Sequence, residues 1–426
     1  MISHPVLTRL AAGGIRLGLE RIESFLEELG APHRAAPVLH VAGTNGKGSV
    51  CAMAGAMLRA QGFRVGVTTS PHLEAVNERI QVNGRPISDG DFDLLIREVE
   101  ASALEWSARV GQLDPADGPP LTYFEAVLAA AFLYFQRHEV DVAVVEVGLG
   151  GRLDATSVVS PAVSVITSIG LDHVEQLGPD LGSVAAEKCG IMRPGVPVVV
   201  GELPPEASSV VRAMSAVSGS PLLEPGRDFR VWGERDGFCY QRGDSILEGL
   251  VLGLHGRHQL ENAGVALSAI ELLGERVPDL SVGEEALREG LCLARHPGRL
   301  EWLGEQVLVD GCHNPHAAER LAQYLRSLPR DEGRSLLLGC GEEKDVRAIA
   351  SVLAPEVDQI LTTSCAHPRA LEPAAVAQAL EGLECPVFSA GSVEEALPAA
   401  RQRGGVVVAA GSLFLVGAVR TLLAPS

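Results

Sequence analysis

Seven consecutive residues, Gly43-Thr44-Asn45-Gly46-Lys47-Gly48-Ser49, put glycines, a lysine and hydroxyls between an apolar run and an alanine-rich stretch. Glycines let backbone N–H groups turn toward a phosphate, and the start of a helix adds a favourable partial charge. A lysine in this place reaches the β- and γ-phosphates of a nucleotide, and Ser49 is placed to ligate Mg²⁺. The strict Gly-x₄-Gly-Lys-Ser/Thr spacing is not met, because Val41 stands where the first glycine belongs and Gly48 separates Lys47 from Ser49. All the parts are present in working order, so a phosphate loop is favoured over an incidental glycine turn. Further chemically capable residues follow. Glu146 leads into a glycine-rich stretch that ends on Asp154, and a carboxylate leaving a buried strand there either holds Mg²⁺ or belongs to a structural turn. Taken alone, Thr69-Ser70-Pro71-His72 is a plain turn, His173 a structural histidine and Lys188 an ordinary helix lysine.

These residues need elements to carry them. From residue 38 onward, short β-branched runs alternate with Ala/Leu-rich stretches, the rhythm of a parallel sheet wrapped by helices. Strands are expected at 38–43, 64–70, 140–148, 162–170 and 196–201, and helices at 48–61, 91–109, 122–137 and 259–273. Residues 228–242 alternate like an antiparallel hairpin around Asp236-Gly237, expected to decorate the edge of the first domain. After Pro297-Gly298 the rhythm restarts, with strands expected at 306–311, 335–341, 359–364, 386–391 and 406–412. The fold class expected is α/β: a large N-terminal P-loop domain with a mostly parallel sheet over 1–296, and a smaller C-terminal Rossmann-like α/β domain over 297–426. Ligand sites in such sheets lie at the carboxyl ends of strands, where the residues above cluster.

The loop and its flanks resemble the phosphate loop of the Mur ligase superfamily, and especially its folate branch, the folylpolyglutamate and dihydrofolate synthases. Other segments agree in order: Thr69-Ser70-Pro71-His72-Leu73, Leu121-Thr122-Tyr123-Phe124-Glu125, residues 146–156, residues 167–178, Gly256-Arg257-His258-Gln259 with Asn262-Ala263, Pro297-Gly298-Arg299, and residues 309–316. Ser157 and Cys312 replace the usual Asn and Ala of their segments. The resemblance implies an acid–amino-acid ligase that forms an acyl phosphate with ATP and couples it to L-glutamate, the acyl donor being dihydropteroate or a reduced folate. It assigns Gly43, Thr44, Asn45, Gly46, Lys47, Gly48, Ser49, Asn262, Arg299, Asp310 and His313 to ATP, and Ser49, Ser70, Glu146 and His173 to Mg²⁺. Lys47, His173 and a carbamoylated Lys188 are implied in catalysis. Thr122, Phe124, Arg152 and Asp154 are implied at the folate, with residues 15–22 bordering the same pocket. The second domain's residues imply closure over ATP. Only 42 residues precede Gly43, so the UDP-sugar domain of peptidoglycan-precursor Mur ligases is not expected; the alternative is another Mur-type amino-acid ligase lacking it. No Asn-Lys-x-Asp segment reads a guanine.

Bulk properties narrow the rest. Hydrophobic residues at 46% and charged residues at 21%, with only short apolar runs, describe a water-exposed globular chain rather than a membrane span. A net charge of −19 opposes nucleic-acid binding, which needs a basic face. The eight cysteines lie scattered without a Cys-x-x-Cys pair, so neither a disulfide framework nor a zinc site is expected. The N-terminus lacks the charged start and apolar stretch of a secretory signal, which leads to the expectation of a cytoplasmic monomer that meets only small molecules.

Overall fold

The computed structural model describes residues 4–11, 13–14, 16–110, 119–330, 333–365, 367 and 369–424. Two compact units divide the chain: residues 1–253 with Gln259–Arg295, and Leu254–His258 with residues 296–426.

The first unit is built on an eight-stranded sheet. Its strands are β1 (Val38–Ala42), β2 (Val65–Thr68), β3 (Ile80–Val82), β4 (Arg85–Pro86), β5 (Val142–Glu146), β6 (Val163–Ile166), β7 (Val198–Val200) and β8 (Leu222–Leu223), in the order β4-β3-β2-β5-β1-β6-β7-β8. The pairs from β2 to β8 are parallel, whereas β3 and β4 run antiparallel at one edge. β1 and β5 are buried along their whole lengths, which is why they read as continuous Val-rich runs without alternation. One face is covered by helices Pro5–Ala11, Glu20–Glu28, Asp89–Val110 and Tyr123–Arg137, with Phe25 meeting Trp106 edge-on at 5.7 Å. Helices Leu181–Cys189 and Pro205–Ser218 pack against β6 and β7 in a separate core. Helix Lys47–Ala60 is crossed at very short range by helix Glu284–Leu293: a Cβ on Gly290 would lie 2.4 Å from the Met57 Cα.

β9 (Phe229–Trp232), β10 (Phe238–Arg242) and β11 (Ser245–Leu250) form a separate antiparallel sheet in the order β11-β10-β9. The expected hairpin is therefore present, but with a third strand, and it packs on helix His258–Arg276 rather than extending the main sheet. Tyr240 there bonds Ser268 at 3.0 Å and Glu271 at 2.7 Å, and Phe229 and Val231 close on Gly264. A second hairpin, β3–β4, not expected from the sequence, turns at Asn83-Gly84, whose φ of 52° and 71° are the positive dihedrals of a tight hairpin turn. Strands this short, three and two residues, leave too little alternation to detect.

The second unit has a six-stranded sheet of β12 (Glu301–Leu303), β13 (Val307–Val309), β14 (Arg334–Leu338), β15 (Gln359–Thr362), β16 (Val387–Ser389) and β17 (Val406–Ala410), ordered β12-β13-β17-β14-β15-β16. Only β12 is antiparallel. Helices Pro315–Ser327, Val346–Leu353 and Pro373–Ala379 bury Leu321, Leu325, Ile349, Leu353 and Val376 in its core. The α/β class with a large, mostly parallel first sheet and a smaller second domain is what the structure shows. Among the described residues no helix is long and apolar enough to cross a membrane.

Candidate active site

The phosphate loop joins β1 to helix Lys47–Ala60, and its path is fixed by neighbours from the turn after β6. Thr44 N–H donates to the Ser168 carbonyl at 2.8 Å, and the Thr44 hydroxyl donates to the Gly170 carbonyl and accepts its N–H. The Thr167 hydroxyl donates to the Asn45 carbonyl at 2.6 Å, and Ser168 Oγ accepts from Asn45 N–H at 3.0 Å. Two glycines are obligatory. Gly43 has φ 149°, and a Cβ there would sit 1.9 Å from Thr167 Oγ1; Gly46 has φ 87° and would place its Cβ 2.7 Å from Asn262 Oδ1. Lys47 folds its ammonium back onto the loop, donating to the Gly43 and Thr44 carbonyls at 3.0 and 3.2 Å. The Ser49 hydroxyl is buried and accepts from Gln259 Nε2 at 3.1 Å, while Gln259 Oε1 accepts from Asn262 Nδ2 at 2.9 Å. Asn262, assigned to the nucleotide by resemblance, thus lies against the loop itself. Gln259 belongs to the same motif segment as Asn262, which gives it no role of its own; the contact with Ser49 does.

The neighbouring strand ends bring further assigned residues together. Glu146, buried at the end of β5, accepts Ser70 N–H at 3.2 Å from the segment leaving β2. Cys51 lies within the electrostatic reach of both Glu146 and Lys47, and burial first, Glu146 second, drive its thiol far up. Lys188 is buried in helix Leu181–Cys189, and desolvation, with repulsion from Lys47, lowers its ammonium to about 7 against the opposing pull of Asp172 and Asp154. His173 adopts the left-handed conformation at φ 50°, uncommon for a residue with a side chain, and its ring is 43% exposed beside Asp172. Among the described residues no three His, Cys, Asp or Glu side chains converge as a metal cage. Ser49, Ser70 and Glu146 are hard oxygen donors, with His173 as a single imidazole, and that donor set suits a divalent cation of the Mg²⁺ type, which keeps several waters and substrate oxygens rather than requiring an all-protein cage.

A second group lies around the turn after β5. Phe124 and Asp154 both abut Gly148, whose missing Cβ would be 2.9 Å from the Phe124 ring and 3.1 Å from Asp154 Oδ2. Asp154 accepts Leu149 N–H, Thr156 N–H and the Thr156 hydroxyl; burial pushes its carboxyl up, and these bonds oppose that. Since the Thr156 proton is committed to Asp154, the His40 Nε2 at 2.9 Å must donate to Thr156 Oγ1. Burial lowers His40 to about 3, so the ring is neutral. Thr122 caps helix Tyr123–Arg137 reciprocally with Glu125, and the Glu125 carboxylate receives Arg21 on both oxygens, 2.7 Å at the nearest contact. Arg21 also donates to the Arg16 carbonyl, and Arg16 to that of Pro119. The two segments assigned to the folate pocket are therefore laced together, although Ile15 lies outside the described residues. Arg79 stacks 5.3 Å over the Tyr123 ring and donates to His72 Nδ1. Arg152 pairs with Glu187 at 2.8 Å, next to Lys188 in sequence.

In the second unit, Asp310 is buried after β13 and accepts the N–H groups of Leu300 and Cys312, with burial raising its carboxyl and Arg299 opposing. His313 bonds the Gly311 carbonyl at 2.9 Å. His258 is lowered to about 3 by burial and then by the nearby Arg320, Arg299 and His316, so its ring is neutral.

Comparison with known proteins bears on this geometry. The Mur ligase middle domain family matches residues 41–270, and the Mur ligase, glutamate ligase domain family matches residues 298–413. A dihydrofolate synthase/folylpolyglutamate synthase of Bacillus subtilis is 36% identical over 366 residues, 84% of this chain and 83% of its own length. The structure of E. coli FolC in complex with DHPP and ADP superposes with a TM-score of 0.87 at 34% identity, covering 98% of this chain and 96% of that one. A bifunctional folylpolyglutamate synthase/dihydrofolate synthase from Yersinia pestis, complexed with AMPPNP and Mn ion, gives 0.85 at 32% identity over 98% and 96%.

Proposed function

We propose, from the premise that this chain belongs to the Mur ligase family and to its dihydrofolate synthase/folylpolyglutamate synthase branch, that it uses ATP to join L-glutamate to dihydropteroate, to reduced folates, or to both. The observation that carries the reading is the convergence of the glycine-fixed loop, the Glu146–Ser70 contact and the buried Lys188 amine at the carboxyl ends of β1, β2, β5 and β6.

An oxygen of the acyl donor's carboxylate attacks the γ-phosphorus and ADP leaves. The glutamate amine then attacks the acyl carbon, loses a proton, and expels phosphate. No protein nucleophile is needed; the task is positioning and charge neutralisation. The loop amides and Lys47 hold the β- and γ-phosphates, and Asn262, with Arg299, Asp310 and His313 of the second unit, serves nucleotide binding. Ser49, Ser70, Glu146 and His173 hold Mg²⁺, which when bound offsets phosphate charge. Lys188, its ammonium lowered to about 7, adds CO₂ as a free base and releases a proton to give a carbamate, which replaces the repulsion from Lys47 by attraction. Thr122, Phe124, Arg152 and Asp154 serve the pterin acid. The enzyme works as a cytoplasmic monomer on small molecules, without nucleic acid or membrane.

The test is ADP release by purified protein with ATP, Mg²⁺ and L-glutamate, given dihydropteroate or tetrahydrofolate in parallel. Release that depends on both glutamate and an acceptor is expected. Release indifferent to both acceptors would defeat the proposal.

A further inference from the structure

The hydrogen-bond chain under the phosphate loop has a direction. Asn262 Nδ2 donates to Gln259 Oε1 at 2.9 Å, so the oxygen end of the Gln259 amide is committed and its NH₂ faces Ser49. Ser49 Oγ accepts that N–H at 3.1 Å, deep in the protein, where Gln259 is 1% and Ser49 4% exposed. An accepting hydroxyl has one lone pair occupied, which keeps its proton off that side and confines the other lone pair to the two remaining staggered directions. A hydroxyl free to rotate would instead spread that lone pair over several orientations. Asn262 completes the arrangement by packing its Oδ1 on Gly46, so the chain also follows the loop's backbone. Gln259 and Asn262 stand one turn apart on one helix, whereas Ser49 lies on another, 210 positions before Gln259.

We propose that Gln259 is a positioning residue: its amide aims the Ser49 oxygen at the divalent cation that accompanies the nucleotide, and Asn262 locks the amide in the donating orientation. This rests on the assignment of Ser49 as a metal ligand, and it adds an orienting group behind that ligand. Hydrogen-bond partners behind a metal ligand typically affect metal affinity by about 10- to 100-fold.

The probe is Mn²⁺ in the presence of AMPPNP, with free Mn²⁺ followed by electron paramagnetic resonance, so the readout needs neither acceptor nor turnover. Gln259→Met keeps the side-chain length and removes the donor; it is expected to weaken Mn²⁺ about tenfold while metal-free AMPPNP binding changes less than twofold. Ser49→Ala should weaken Mn²⁺ as well, and Gln259→Met added to Ser49→Ala should weaken it no further, because the orienting group then has nothing to orient. Gln259→Asn keeps an amide one methylene short of Ser49 and serves as the second variant where the first does not fold. Parent-like Mn²⁺ binding in either folded variant, or effects that multiply in the double substitution, would overturn the proposal. A parent protein that binds Mn²⁺ with AMPPNP but releases no acceptor-dependent ADP would remove the ligase reading and leave this one standing.

Discussion

The phosphate loop and the acceptor corner lie after neighbouring strands of one sheet, yet they are held in opposite ways. The loop is fixed through its own backbone: amides and carbonyls of Thr44 and Asn45 are bonded to the Ser168 carbonyl and to the Thr167 and Ser168 hydroxyls, and two positive-φ glycines admit no side chain. The corner is fixed by side chains: Arg21 on Glu125, the Thr122 cap, and the His40–Thr156–Asp154 chain. A backbone-held site keeps its shape when a functional side chain is removed, whereas a side-chain-held site loses shape and function together. Substitutions can break or sharpen that contrast.

The largest effect is expected for Lys47→Ala. Its ammonium bonds only loop carbonyls in the present hydrogen-bond pattern, so kcat should fall about a thousandfold, as for loss of one preorganised charge-stabilising donor, with the melting temperature unchanged. Steady-state kinetics beside calorimetry checks this, and a melting temperature that drops with the rate would erase the contrast. Arg21→Met comes next. Removing one partner leaves the buried Glu125 carboxylate uncompensated, so denaturant unfolding should show a loss of about 3 kcal/mol, and the KM for the pterin acid should rise while that for ATP holds. The smallest concerns Lys188. Its folded-state value near 7 lies below the ordinary 10.5, so the cost of burying the ammonium is complete below pH 7 and is relieved as pH climbs toward the unfolded value. In CO₂-free buffer the parent should gain about 1 kcal/mol between pH 6 and pH 8 relative to Lys188→Met. A gain with falling pH would show that the amine is not held in that environment.

The same contrast explains what could be read from sequence. Loop residues 43–49 announce themselves because glycine, lysine and hydroxyl are required at adjacent positions, and the Val-rich β1, β5 and β6 are visible because double-sided burial leaves a local imprint. Arg21 and Glu125 stand 104 residues apart, and nothing near either names the other. Gln259 stands in a recognisable motif, but its contact with Ser49 is illegible for the same reason, the two lying 210 residues apart in different helices. The Arg152–Glu187 pair, 35 residues apart, is likewise set by tertiary packing and named by neither segment. The small β3, β4 and β8 lack the length to show a period, and β11 joined a hairpin whose first two strands alone alternated clearly.

Helix Glu284–Leu293 touches Met57 through the bare Cα of Gly290. A thermostability campaign that swaps interior helical glycines for alanine counts on a gain of up to about 1 kcal/mol per site. At position 290 the added methyl would instead wedge apart the helix that begins at the phosphate loop, so a library designed from propensity tables alone would select against itself there.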